Sequence, residues 1–287
     1  MKGLQGQGLG LAVISYDPPG ILEAFSQQRG IAFPLLSDAG SATIKRYGIL
    51  NTVADEAFGP DKDDPAIKAD IQKYVSAVGP NPRMVGMAFP GTFIVDRQGR
   101  VTSRFFEDFY VERNTLSSLM LKRGAGEPPV AATKISTAHL DLTAYASDAA
   151  VAPGNRFALA VDIVPKPGMH VYAPGASGYR AVTLAIEPRA FTRMLPKQYP
   201  APEIYFFAPL DERVPVYQKP FTLLQEVVLE GTAQAQAALK GTDTIVLTGA
   251  VDYQACDDRI CFNPASIPLS WTIAVRTLLR EPTVRPQ

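Results

Sequence analysis

The sequence is poor in cysteine, in net charge and in long apolar runs. Lys plus Arg and Asp plus Glu number 28 each among 287 residues, so the net charge is zero. That balance removes the electrostatic attraction on which nucleic-acid and anionic-membrane binding mostly depend, so neither is an expected partner. Runs such as Leu11–Ile14 and Val227–Leu229 fall far short of the roughly 20 residues of a membrane span. The opening residues MKGLQGQGLGLAVISYD carry one lysine, scattered glycines and no apolar core, so no signal peptide is read there. Only two cysteines occur, Cys256 and Cys261, with four residues between them.

What is present is apolar residue and proline. A hydrophobic content of 46% is enough to bury real cores, and the length points to two domains. Of 25 prolines, 8 fall in residues 1–127 and 17 in residues 128–287. The first part alternates strand and helix signals. Leu11–Ser15 reads as a buried strand, and ILEAFSQQRG as a helix with Gly30 at its C-cap. IAFPLLSD is a second extended stretch, and SATIKRYG a short helix with Ser41 as N-cap. Residues 52–86 look like an insertion, polar and turn-rich around VADEAFGPDKDDP and then helical over IKADIQKYVSAV. Thr92–Val95 and Val101–Phe106 form a hairpin about Asp96–Gly99, and VERNTLSSLMLKR reads as a closing helix.

Residues 124–134 are rich in glycine, alanine and proline and read as a linker. Beyond them, runs such as FALAVDIVP, FTLLQEVVLE and PLSWTIAV alternate apolar and polar residues, with proline or glycine every ten or so positions. That pattern argues an antiparallel β-sandwich. Thr232–Lys240 is the one helical exception.

Both cysteines sit in TIVLTGAVDYQACDDRICFNPASIPLSWTIAV. Extended residues lead into Cys256, and a polar turn Asp257-Asp258-Arg259 separates it from Cys261. Facing arms of a tight hairpin would bring the two within the ~5.5 Å Cα separation of a disulfide. A short loop closed this way adds little stability, and a chain with two cores does not need it for folding. A redox-active pair and a structural staple both stay open. Zinc is the weakest reading, because only two thiols exist and neither His139 nor His170 is near in sequence. No metal and no cofactor are expected.

YQACDDRICFNP resembles the active-site segment of the N-terminal domain of the thiol:disulfide interchange protein DsbD. KPGMHVYAPG and YFFAPLDERVPVYQKPFTL resemble, in the same order, that family's aromatic strand and its acidic cap-loop region. The resemblance covers most of residues 135–275. It implies an all-β immunoglobulin-like sandwich whose cysteine pair, Cys256 and Cys261, exchanges disulfides with a thioredoxin-fold redox protein. It places His170 and Tyr172 beside the pair and Asp211 and Glu212 near the cap. Arg213 stands where that family's shielding aromatic is expected. Read plainly, His170 is a strand residue and Asp211-Glu212 a solvated turn. Asp257 and Asp258 should raise the thiolate pKa while Arg259 pulls the other way.

The first part, over about residues 8–120, resembles the alkyl-hydroperoxide-reductase/thiol-specific-antioxidant (redoxin) branch of the thioredoxin fold. FPLLSD, YGI and the strand Pro90–Asp96 carry the likeness. Pro90 matches that family's cis-proline, and its plain reading is a proline that opens a strand. The family's catalytic cysteine follows a strand absent here, and no cysteine occurs in residues 1–255. The thiolate is the nucleophile in peroxide reduction and in disulfide exchange, so this domain does neither. Its sheet would lack its centre and expose an edge. A start downstream of the natural one is the favoured explanation, a degenerate docking module the other.

The expected organisation is an α/β thioredoxin-like domain, N-terminally truncated, over residues 1–123, a linker over 124–134, and the sandwich over 135–287. The expected function is thiol–disulfide exchange through Cys256 and Cys261. The alternatives are a non-catalytic binding protein with a structural disulfide, and a fragment of a redoxin-family peroxidase. Disulfide chemistry points to a periplasmic or other extracytoplasmic location.

Overall fold

The computed structural model describes residues 4–5, 8–78, 84–106, 112–124, 132–207 and 211–276. Two compact units emerge, one built on Met1–Tyr110 and one on Val111–Leu278.

In the first unit, β1 (Val13–Ser15) pairs in parallel with β2 (Leu35–Ser37). Between them runs α1 (Pro19–Arg29). Its first turn tolerates Pro19 because a proline lacks only an N–H that would be unpaired there. Gly30 ends the helix in the left-handed region at φ 58°, as expected of a C-cap glycine. The short helix α2 (Ala42–Arg46) also forms, but Ser41 does not cap it. The Asp38 carboxylate accepts instead from the N–H groups of Thr43 at 3.0 Å and Ile44 at 2.8 Å. Ser41 Oγ is turned to a distant carbonyl, that of Gly86.

The stretch expected to be turn-rich contains α3 (Thr52–Phe58), started by Asn51, whose side chain accepts from the Ala54 N–H at 3.2 Å. This cap satisfies a donor that would otherwise be orphaned, and it fixes a helix in a polar sequence. The expected second helix is α4 (Pro65–Val78). Next, β3 (Gly91–Val95) and β4 (Val101–Phe106) make the expected hairpin. Asp96 closes its turn by accepting from Gln98 and Arg100 N–H. Pro90 immediately precedes β3, which agrees with its plain reading. No peptide bond among the described residues is cis, so the cis-proline expectation for Pro90 fails. Cis is a minority state that neighbours must enforce, and β3 has β4 alone as a described strand neighbour. No ladder among the described residues joins β1–β2 to β3–β4. Val13, Ile14 and Leu36 on one pair and Val101 and Phe106 on the other are exposed.

The second unit begins with β5 (Arg113–Asn114) and α5 (Leu116–Lys122). Its strands continue with β6 (Thr133–Ser136), β7 (Leu140–Ala146), β8 (Ala150–Val151), β9 (Asn155–Pro165) and β10 (His170–Tyr172). Then come β11 (Thr183–Ile186), β12 (Thr192–Met194), β13 (Glu203–Phe207), β14 (Glu212–Tyr217) and β15 (Phe221–Leu229). The helix α6 (Ala233–Ala238) precedes β16 (Thr244–Tyr253), β17 (Ala255–Cys256) and β18 (Ala265–Val275). One sheet is ordered β12-β15-β9-β7-β6, with β5 also beside β9. A second is β11-β16-β18-β8, and a third β13-β14-β10-β17.

The sequence pattern explains the layers. From Ile267 to Ile273 every second residue of β18 is buried, while Pro268, Ser270 and Thr272 are exposed. Leu269, Trp271 and Ile273 share one core with Phe157, Leu159, Val161 and Ile163 of β9. Strand β9 is buried on both faces, and its other face carries the small Ala158 and Ala160. There Leu121 of α5 packs. The helix expected to close the first domain therefore belongs to the second unit. Its apolar side chains find their surface on β9, and β5 pairs with that same strand. The boundary accordingly lies earlier than residue 123, and residues 125–131 of the expected linker fall outside the described residues.

Two further contacts fix this unit. A Cβ at Gly249 of β16 would stand 2.2 Å from the Ala185 carbonyl oxygen of β11, so the approach of these strands requires glycine. Glu226 of β15 accepts from Lys122 Nζ at 2.5 Å and from Arg156 Nη2 at 2.8 Å, with its side chain 3% exposed. Burial pushes the Glu226 carboxyl up. Hydrogen bonds from Arg156 and Lys122 outweigh burial and hold it below the ordinary carboxylate range.

Candidate functional site

Strands β10 and β17 lie side by side, with His170 directly opposite Cys256. The chain turns immediately after Cys256, and Cys261 returns to face it in an isolated antiparallel bridge. The two cysteines form a disulfide with Cα atoms 4.1 Å apart. The facing-arms geometry read from the sequence is thus the observed one.

Asp257 builds the turn. Its N–H donates to the Ile260 carbonyl at 3.0 Å, and its carboxylate accepts from the Arg259 and Ile260 N–H groups, each at 2.7 Å. These backbone donors, Ile260 first, hold the Asp257 carboxyl below its usual range. Much of its charge is therefore engaged by the loop backbone. These backbone donors act on Asp257 in addition to the Arg259 charge. Arg259 and Asp258 make only a loose 4.0 Å contact.

The two sulfurs differ in environment. Cys256 is 1% exposed and packs with Tyr172, Val214 and Val216. Cys261 is exposed, and its neighbour Ile260 is 56% exposed. Cys261 is thus the more accessible residue of the pair.

Register explains what surrounds the pair. Tyr172 lies opposite Val216, and Val214 opposite Tyr205. Alternate residues of a strand share a face, so His170, Tyr172, Tyr205 and Cys256 project from the same side of this sheet. The rings of His170 and Tyr205 lie 4.7 Å apart, and those of His170 and Tyr172 5.6 Å apart. His170 is buried, and burial lowers its pKa against the opposing pull of Asp257. The Tyr172 hydroxyl stands 3.2 Å from both sulfurs. Burial also pushes the Tyr172 phenol up, so a neutral hydroxyl meets the disulfide.

His170 and Tyr172, singled out in the sequence, are brought directly to the cysteines. Glu212 belongs to the same cluster through Tyr179, whose hydroxyl donates to Glu212 Oε2 at 2.7 Å. Asp211 is exposed at φ 51°, just before β14. Arg213 lies over the Phe206 ring at 5.5 Å. Pro90 belongs to the first unit. Tyr179 and Tyr205 were missed. Tyr179 sits in a glycine-containing loop with no motif spacing, and Tyr205 looks like one of three aromatics in a row; only the strand register reveals its face.

Residues 1–104 match the family model of the AhpC/TSA family. Residues 142–267 match that of the thiol:disulfide interchange protein DsbD, N-terminal. The first part is therefore thioredoxin-like and the second a sheet-rich DsbD-type region carrying the disulfide. Among solved structures, the N-terminal periplasmic domain of ScsB from Proteus mirabilis is similar at 16% identity and a TM-score of 0.34. The match covers 47% of this chain, which spans about half of that one, 49%. No curated protein matches the sequence significantly. Among the described residues, no helix is long and apolar enough to cross a membrane.

Proposed function

We propose that this chain is a thiol–disulfide exchange protein that works through Cys256 and Cys261 with a thioredoxin-fold partner. The observation that carries the reading is the asymmetry of the disulfide, with Cys261 exposed on a turn and Cys256 buried in the sheet. A structural staple gains nothing from that asymmetry, whereas an exchanging pair needs one accessible sulfur and one protected leaving group. In the reducing direction, the partner's thiolate attacks Cys261 Sγ. The Cys256–Cys261 bond breaks, Cys256 leaves with the electron pair, and a mixed disulfide remains at Cys261. A second partner thiolate releases the reduced pair. Run in reverse, the pair passes the same two electrons to another disulfide.

Tyr172 supports the step by offering its hydroxyl to whichever sulfur carries charge. His170, held neutral and packed on Tyr205, supplies a wall. Exposed Ile260 gives a docked protein an apolar contact beside Cys261. The match to the DsbD N-terminal model supports an immunoglobulin-like arrangement of the second unit, and an extracytoplasmic, periplasmic setting suits a resting disulfide. The AhpC/TSA-type region has no cysteine, so it takes no thiol step in this chain.

The test is a redox equilibrium of the full chain with a reduced thioredoxin-fold protein. Exchange, with a potential above about −300 mV, supports the reading. A lower potential together with resistance to that protein makes the disulfide a staple and leaves a binding role.

A further inference from the structure

The arm that carries Cys261 is fastened on both sides by bonds that do not involve sulfur. On the turn side, the Asp257 N–H donates to the Ile260 carbonyl at 3.0 Å. Beyond Cys261, the Phe262 N–H donates to the Ala255 carbonyl at 2.9 Å. Gln254, which joins β16 to β17, adds a third fastening. Its Nε2 donates to the Phe262 carbonyl at 3.1 Å, and its Oε1 accepts from the Arg180 N–H at 3.0 Å. One side chain thus ties the cysteine arm to the loop between β10 and β11. It uses a donor and an acceptor together, which an amide offers and a carboxylate does not. The Phe262 ring is held as well, its centroid 4.4 Å from that of His139. Gln254 and Phe262 are both half-buried, so these bonds are partly shielded from water.

We propose that Gln254 is a positioning residue that keeps Cys261 opposite Cys256 after the disulfide is reduced, and so lowers the reduction potential of the pair. This rests on the exchange reading above, in which the pair cycles between disulfide and dithiol. Closing the dithiol breaks two S–H bonds and forms the Cys256–Cys261 bond. Two electrons and two protons pass to the disulfide of a partner or reagent, which becomes two thiols. The ordering of the arm weighs differently on the two states. In the disulfide, the covalent bond holds the arm with or without Gln254. In the dithiol only the non-covalent fastenings hold it, and each backbone residue set free gains entropy. Loss of the Gln254 bonds therefore favours the dithiol, and the potential rises.

The test equilibrates the full chain at pH 7 in graded mixtures of reduced and oxidised dithiothreitol or glutathione. Acid-quenched thiols are then alkylated and counted by mass. Gln254→Ala removes both bonds. Gln254→Glu keeps an acceptor for the Arg180 N–H but sets an oxygen against the Phe262 carbonyl. Each variant is expected to favour the dithiol at least about threefold more than the wild type, about 14 mV at about 30 mV per tenfold. A residue that only supports the fold would lower the urea midpoints of the disulfide and dithiol forms alike and leave the potential where it was. A smaller shift, or one in the opposite direction, in either variant overturns the proposal. If a variant does not fold, as judged by Trp271 fluorescence, Gln254→Met, which keeps the length without the amide, takes its place. The reagents need no protein partner, and the role of Gln254 is read from a difference between chains. The expected shift, found in a chain whose wild type ignores a thioredoxin-fold protein, contradicts the exchange reading and leaves the role of Gln254 standing.

Discussion

Cys256 is buried and Cys261, bonded to it, is exposed. The difference follows from the local chain. Cys256 ends a strand that lies beside β10, whereas Cys261 stands at the far arm of a turn that the Asp257 side chain holds open to solvent. The exchange reading depends on this relationship.

In the reduced protein, Cys261 is expected to react with iodoacetamide at least about tenfold faster than Cys256, because thiol reactivity follows access and thiolate character. Peptide mass spectrometry of partially alkylated protein reads the ratio. Equal labelling of the two cysteines contradicts the assignment of roles.

Glu226 is expected to matter for stability. Replacing it by alanine leaves Lys122 and Arg156 facing each other without their shared carboxylate, at a cost of about 3 kcal/mol, the usual range for breaking a buried pair. Urea unfolding followed by the fluorescence of Trp271, the single tryptophan and a member of the same unit's core, checks it. The pH dependence has a definite sign. Folding holds the Glu226 carboxyl below its unfolded value near 4.5, so its contribution is present above that pH. It is lost as the pH falls through the lower folded value. The difference between wild type and Glu226→Gln should accordingly shrink below pH 4.5.

Gly249→Ala is expected to destabilise the second unit by about 1–3 kcal/mol, as overpacking does, because the new methyl meets the Ala185 carbonyl. The same Trp271 transition measures it. A neutral result would mean that β11 and β16 separate freely.

Much of this was legible in the sequence because it depends on local pattern. The alternation through β18, the hairpin about Asp96–Gly99 and the pairing of Cys256 with Cys261 follow from period and spacing. So does the Gly30 cap. What was not legible depends on distant contact. The cap of α2 is Asp38 rather than Ser41 because a neighbouring carboxylate reaches the same donors. The attachment of α5 to β9 depends on a small-residue face that exists only once β9 is buried on both sides. His170 and Tyr172 were found through resemblance. Tyr179 reaches them across a loop whose path no motif announces, and the exposure of Cys261 is set by how the turn lies against β10.

The most direct test of the central claim is a trapping measurement. The full chain with Cys256→Ser is mixed with a thioredoxin-fold protein retaining only its attacking cysteine, under mild oxidation, and the adduct is mapped by mass spectrometry. The account predicts a mixed disulfide at Cys261 and, for the converse Cys261→Ser chain, little or none at the buried Cys256. Absence of an adduct at Cys261, or one formed equally well at Cys256, would contradict it.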